Sequence, residues 1–192
     1  MEIKYNYLIN KKTILLYGEI HKNGELYTFV IDGEDMFLVA MPPVKLIDRS
    51  LMSYGSNFKG ALKSSQLLLG KKRKMYPIKI DGSLDIWVFP TKSYKNENCV
   101  WFALNHVKNT QPRGVKFTKI CLSNGHTIEI VMKESAFRNK CRQTEELKEI
   151  IINNTKISEN FLTEPKKGLM IVEKKGSYKC KTVGRVKVIK SN

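Results

Sequence analysis

The sequence predicts an α+β domain, mainly antiparallel β-sheet, with one helix in mid-chain and a later one near 135–152. Three observations predict it. Short runs in the first fifty residues alternate apolar and polar side chains and are broken by turn signals. Runs of strand length return between 76 and 132. From Ser135 the period changes, so that Phe137, Cys141, Thr144, Leu147 or Lys148, and Ile151 share one helical face.

The elements follow in order. "KYNYLIN", "TILLYGEI", "LYTFVIDG" and "MFLVAM" read as an antiparallel meander, and Asn23-Gly24 within "KNGE" supplies a strong hairpin signal between the second and third runs. Pro42 and Pro43 end the meander, and "VKLIDRS" reads as a short strand. Over 56–69, Phe58, Ala61, Leu62 and Leu68 or Leu69 stand at helical spacing, with Ser56 or Asn57 as N-cap and Gly70 as terminator. "YPIKI", "DIWVFPT", "CVWFALNHV", "GVKFTKICL" and "HTIEIVM" read as strands, with Ser123-Asn124-Gly125 turning the last two. The last helix runs to about Ile152. Residues 1–153 are thus expected to form a single domain. Residues 154–192 form a basic extension, for which a hairpin about Lys175-Gly176 and a disordered tail are both open.

At 192 residues, 42% hydrophobic and 27% charged, the chain has the composition of a globular protein with a sizeable core. No apolar run approaches the roughly 18 residues of a membrane span, and "MEIKYNYLIN" lacks the features of a secretory signal, so a cytoplasmic location is expected. Cys99, Cys121, Cys141 and Cys180 form no Cys-x-x-Cys pair. They read as reduced thiols, and neither a metal nor a cofactor is expected.

Charge is the first functional signal. Thirty-four Lys and Arg against 18 Asp and Glu give +16, which attracts polyanions. Residues 1–50 carry 6 basic and 7 acidic side chains, 51–100 carry 9 and 3, 101–150 carry 9 and 5, and 151–192 carry 10 and 3. The first quarter is therefore a poor polyanion surface.

Two kinds of catalysis fare badly. Gly55 and Gly60 in "YGSNFKGALKS" have the glycine spacing of a phosphate-binding loop, but Ala61 and Leu62 follow where Lys and Ser or Thr are needed. Lys63 and Ser64 arrive two positions late, about 200° around a helix. A hydrolase using His106 could be assembled with Asp48 and Ser50, or with Cys99, but no Gly-x-Ser-x-Gly elbow or oriented third group identifies it.

Polyanion binding fares better. Lys71, Lys72, Arg73 and Lys74 follow a helix end, Lys59 and Lys63 are four apart on one helix face, and Arg113, Lys116, Lys119, Arg138, Lys140 and Arg142 gather around the later strands and helix. Such cations bind phosphates by counterion release. No zinc finger, basic zipper or helix-turn-helix pattern is present. Trp87, Phe89 and Trp101 read as core, whereas Tyr54, Phe58 and Tyr94 are the candidates for base stacking in an RNA-binding or nonspecific nucleic-acid-binding alternative.

"IDRS" at 47–50, "YG" at 54–55, "YPI" at 76–78, "IWVFPT" at 86–91, "WFALNHV" at 101–107, "SNGHTIE" at 123–129 and "SAF" at 135–137 occur in the order and spacing of the competence transcription factor ComK family, which the chain resembles over about residues 36–145. The family's usual Lys-Pro-Pro-Ile stands here as Met75-Tyr76-Pro77-Ile78, with the positive charge displaced to Lys74. The resemblance implies a non-enzymatic transcriptional activator of genes for DNA uptake. It would bind paired A/T-rich boxes of double-stranded DNA as a homo-oligomer, largely through the minor groove, with contacts to RNA polymerase and a proteolytic adaptor. Narrow A-tract minor grooves attract inserted Arg and Lys, which agrees with the charge. Lys59, Lys63, Lys71, Lys72, Arg73, Lys74, Lys116, Arg138, Lys140 and Arg142 are the expected DNA-binding residues at the backbone, and Arg49 and Arg113 those of the minor groove.

Overall fold

In a computed structural model of the chain, the described residues are 1–71, 73, 75–158, 168–174 and 177–183. Strands β1 (Ile3–Lys4), β2 (Thr13–Ile20), β3 (Leu26–Asp32) and β4 (Asp35–Val39) precede helices α1 (Pro43–Ser53) and α2 (Phe58–Leu69). Then come β5 (Ile78–Asp81), β6 (Ile86–Pro90), β7 (Val100–Ala103), a 3-10 turn (Leu104–His106), β8 (Val107–Arg113), β9 (Phe117–Leu122), β10 (Thr127–Val131) and α3 (Glu134–Ser158). Finally β11 (Gly168–Lys174) and β12 (Ser177–Val183) follow. The chain divides into two compact units, Met1–Ile152 and Asn153–Asn192. In the second, β11 and β12 pair as an antiparallel hairpin from Gly168↔Val183 to Lys174↔Ser177.

The first unit holds a seven-stranded sheet of order β1-β4-β3-β2-β7-β6-β5 and a three-stranded sheet of order β10-β9-β8. All pairings are antiparallel except that of β1 with β4, so the α+β architecture expected from the sequence is the one observed. Asn23-Gly24 turns β2 into β3 as its sequence predicts, with Gly24 at φ 81. Both faces of the large sheet are covered. Leu16, Val30, Phe37, Val39, Val88 and Trp101 point into a core shared with Leu46, Ile47 and Leu51 of α1. Their sequence neighbours Leu15, Phe29, Leu38, Phe89 and Phe102 point into another, shared with Ile120, Leu122 and Ile130 of the small sheet and Phe137 of α3. This double burial explains why the strands read as nearly continuous apolar runs.

Three segments depart from the sequence reading. "KYNYLIN" is not a strand of the antiparallel meander: only its Lys4 lies in a strand, β1, and that strand pairs parallel with β4. "VKLIDRS" is helical: Pro43 begins α1, where its missing N–H costs nothing and its fixed φ suits the first turn. Leu46, Ile47, Ser50 and Leu51 then bury one helical face. "CVWFALNHV" is not one strand, because the turn at Leu104–His106 ends β7 and sends β8 into the second sheet.

Candidate nucleic-acid interface

Helix α2 displays its lysines because its start is fixed at three points. Gly55 takes φ 76, a left-handed conformation suited to glycine. The Asp48 carboxylate accepts the Phe58 N–H at 2.7 Å, and the Asn57 side chain caps the helix by accepting from the Gly60 N–H at 2.8 Å. Phe58, Ala61 and Leu62 pack inward. Lys59, Lys63 and Leu67, four apart, line up on the exposed face.

Arg73, in the basic segment after α2, is anchored rather than free. The Tyr76 hydroxyl donates to the Gly70 carbonyl at 2.8 Å and accepts the Arg73 N–H at 3.2 Å. Arg73 meets Glu146 of α3 through both terminal nitrogens, at 3.0 and 3.1 Å. Lys71 is exposed; Lys72 and Lys74 lie outside the described residues. Along α3, Arg138, Arg142 and Glu146 recur every four positions and form one stripe about 12 Å long. Arg142 is exposed, whereas Arg138 is ion-paired with Glu134 and donates to Thr110 Oγ1 at 3.2 Å. The Thr110 hydroxyl, followed by Arg138, holds the Glu134 carboxyl below its ordinary range.

The β8–β9 hairpin carries an exposed basic tip. Arg113 pairs with Phe117, and Gly114, Val115 and Lys116 close the turn, with Gly114 at φ 61. All five residues from Arg113 to Phe117 are exposed.

Two residues expected at DNA have partners within the protein. Lys140 is only 9% exposed and its ammonium lies 3.7 Å from the Met75 sulfur. Burial holds that ammonium below the usual lysine range. Arg49 does not follow a strand; it sits on α1 and donates to the Tyr5 carbonyl at 3.2 Å and to Asn6 Oδ1 at 2.6 Å. It fastens the N-terminal segment.

The hydrolase constellations do not assemble. Asp48 is the α2 anchor, and Ser50 is buried, accepting from the Ile9 N–H and donating to the Leu46 carbonyl. His106 is in the 3-10 turn, where its Nε2 lies 2.8 Å from the Lys11 carbonyl and its Nδ1 lies 2.5 Å from Ser123 Oγ. A carbonyl only accepts, so Nε2 donates to it, and Nδ1 shares a hydrogen bond with the serine hydroxyl. Together with the Asn124 amide, which donates to the Gly33 carbonyl at 2.8 Å, this pair fastens the β9–β10 turn to the first sheet. The Cys99 thiol is 3% exposed and pushed up by burial, which suppresses the thiolate a nucleophile needs. Among the stacking candidates, Tyr54 and Phe58 are packed against the core, and Tyr94 is 37% exposed but lies edge-on to Phe58.

Sequence reasoning missed the hub at Asp85, whose carboxylate accepts from Trp87 Nε1 at 2.8 Å, Asn105 Nδ2 at 3.0 Å and Lys148 Nζ at 2.9 Å. The one sequence signal was an aspartate at the start of "DIWVFPT", a residue type that tolerates left-handed backbone. Its partners, up to 63 positions away, left no signal in the spacing.

A family model described as "ComK protein" matches residues 4–156. The chain is also 30% identical over 139 residues to a protein of Bacillus subtilis (strain 168) described as "Competence transcription factor", covering 72% of this chain and 71% of that one. No solved structure matches. With the match extending from β1 through nearly all of α3, the chain belongs to the ComK family.

Proposed function

We propose that the protein is a DNA-binding transcriptional activator that controls competence for DNA uptake and recognises A/T-rich boxes of duplex DNA largely from the minor groove. The observation that carries the reading is the family match over a region that presents exposed cations: Lys59, Lys63, Lys71, Arg113, Lys116 and Arg142 are all exposed. Exposed cations of this kind neutralise phosphates and release counterions, while side chains entering a narrow A/T groove sense its shape and potential. Assembly of two or more copies on paired boxes, and contacts with RNA polymerase and a proteolytic adaptor, belong to the same reading.

Titration of the protein with A/T-box DNA and with scrambled G/C-rich DNA of equal length, at several salt concentrations, tests it. The expected result is a preference for the A/T boxes that persists as salt rises, and displacement by the minor-groove ligand netropsin. Equal affinity for both duplexes at every salt leaves a nonspecific nucleic-acid binder and overturns the proposal.

A further inference from the structure

We infer that the β8–β9 hairpin is the arm that enters the minor groove, with Arg113 as its groove residue and Val115 as an apolar wedge at its tip; this rests on the minor-groove reading above. Val107–Leu122 carries Lys108, Arg113, Lys116 and Lys119 and no acidic residue. Two acids stand beside it: Glu129 of β10, directly opposite Lys119, and Glu134 of α3, which accepts from the Thr110 hydroxyl nearer the base and is ion-paired with Arg138. Beyond the Lys119 row the arm is purely cationic, and neither Arg113 nor Lys116 has a side-chain hydrogen bond or ion pair among the described residues.

Shape agrees with charge. On one face of the hairpin, Thr118, Ile120 and Leu122 are buried, which fixes its base. Past the Pro112–Thr118 row only the Arg113–Phe117 pair and the three-residue turn project, about 7–10 Å at 3.3 Å per residue, which matches a minor groove about 7.5 Å deep. Val115 at the apex is 76% exposed, an apolar side chain left largely in water. Phe117, 42% exposed, lies in register with Arg113 on one side and Val131, 64% exposed, on the other, so an apolar shelf backs the arginine. A two-stranded tip with cations flanking one apolar side chain fits a groove floor where a base step can be opened by a wedge. Solvent exposure of Val115 is then resolved on binding.

The test uses the full chain and A/T-box duplexes carrying 2-aminopurine in place of adenine at successive positions, whose fluorescence rises on unstacking. Wild-type protein is expected to raise the signal several-fold at one step. Val115→Ser is expected to abolish that rise while retaining the A/T preference, and Arg113→Ala to weaken A/T-box binding about ten-fold or more relative to G/C-rich DNA. Thermal midpoints within about 2 °C of wild type, expected for exposed tip residues, keep folding out of the comparison. A wild-type-like rise with Val115→Ser, or no rise with wild type, overturns the wedge; Arg113→Ala with unchanged affinity and preference overturns the arm. Wild-type protein that shows no A/T preference and is not displaced by netropsin overturns the underlying reading, whatever the variants do.

Discussion

The Lys148 ammonium on α3 lies 2.7 Å from Oδ1 of Asp85, and Asp85 is the one non-glycine among the described residues held at positive φ, at 57°. The strained backbone aims a single carboxylate at Lys148, Asn105 and Trp87, so that the β5–β6 turn, the 3-10 turn and α3 are tied at one point. Burial pushes the Asp85 carboxyl up, but the hydrogen bonds from Lys148, Asn105 and Trp87 outweigh it and hold it below the usual range.

Asp85→Asn keeps the tolerance for left-handed backbone and removes the charge. It is expected to lower stability by about 1 kcal/mol at pH 7, a modest figure because the site is partly exposed. A depressed native carboxyl stabilises above its unfolded value of about 3.9 and loses that contribution as pH falls through the lower native value. Denaturant unfolding should therefore show the difference between variant and wild type closing below about pH 4.

Lys140→Met is expected to raise stability by about 1 kcal/mol at neutral pH, because it removes a buried ammonium whose neighbour is a thioether. The native lysine titrates below its unfolded value of about 10.4, so wild-type stability climbs between the two and the variant's advantage shrinks over that range. DNA affinity should not change. A clear loss of affinity would return Lys140 to the interface.

Replacing both Lys59 and Lys63 by Ala is expected to leave the thermal midpoint unchanged, since both are exposed, and to weaken binding to all duplexes alike. The slope of log K against log salt should fall by about 0.9 for each lost phosphate contact, or about 1.8 in all. An unchanged slope places α2 away from the DNA backbone.

Glu146→Gln releases the two-pronged hold on Arg73 and removes one negative charge from the stripe of Arg138 and Arg142. Affinity for duplex DNA at low salt is expected to rise several-fold, with a stability change below about 1 kcal/mol for a surface pair. No gain in affinity would mean that Arg73 serves the fold alone.

Elements whose cause is local were legible. Asn23-Gly24, the Asn57 cap, the Ser123-Asn124-Gly125 turn and the apolar face of α3 each follow from a few adjacent residues, and each is found where its pattern puts it. Helix α1 was not legible because Pro42-Pro43 signals a break and a helix start equally, and what distinguishes them is the core that receives Leu46, Ile47 and Leu51. The break inside "WFALNHV" was hidden for a similar reason: Phe102 and Val107 face the same apolar cluster from different sheets.

The sequence by itself determined the charge and its absence from the first quarter, the α+β class, and the set of basic side chains from which an interface is drawn. Only the tertiary structure sorted that set. It left Lys59, Lys63, Arg113 and Lys116 exposed, fastened Arg49 to Tyr5 and Asn6, paired Arg73 with Glu146, and buried Lys140 against Met75. A cation's availability depends on what lies within a few ångströms of it, and here those neighbours come from segments 43 to 73 positions away.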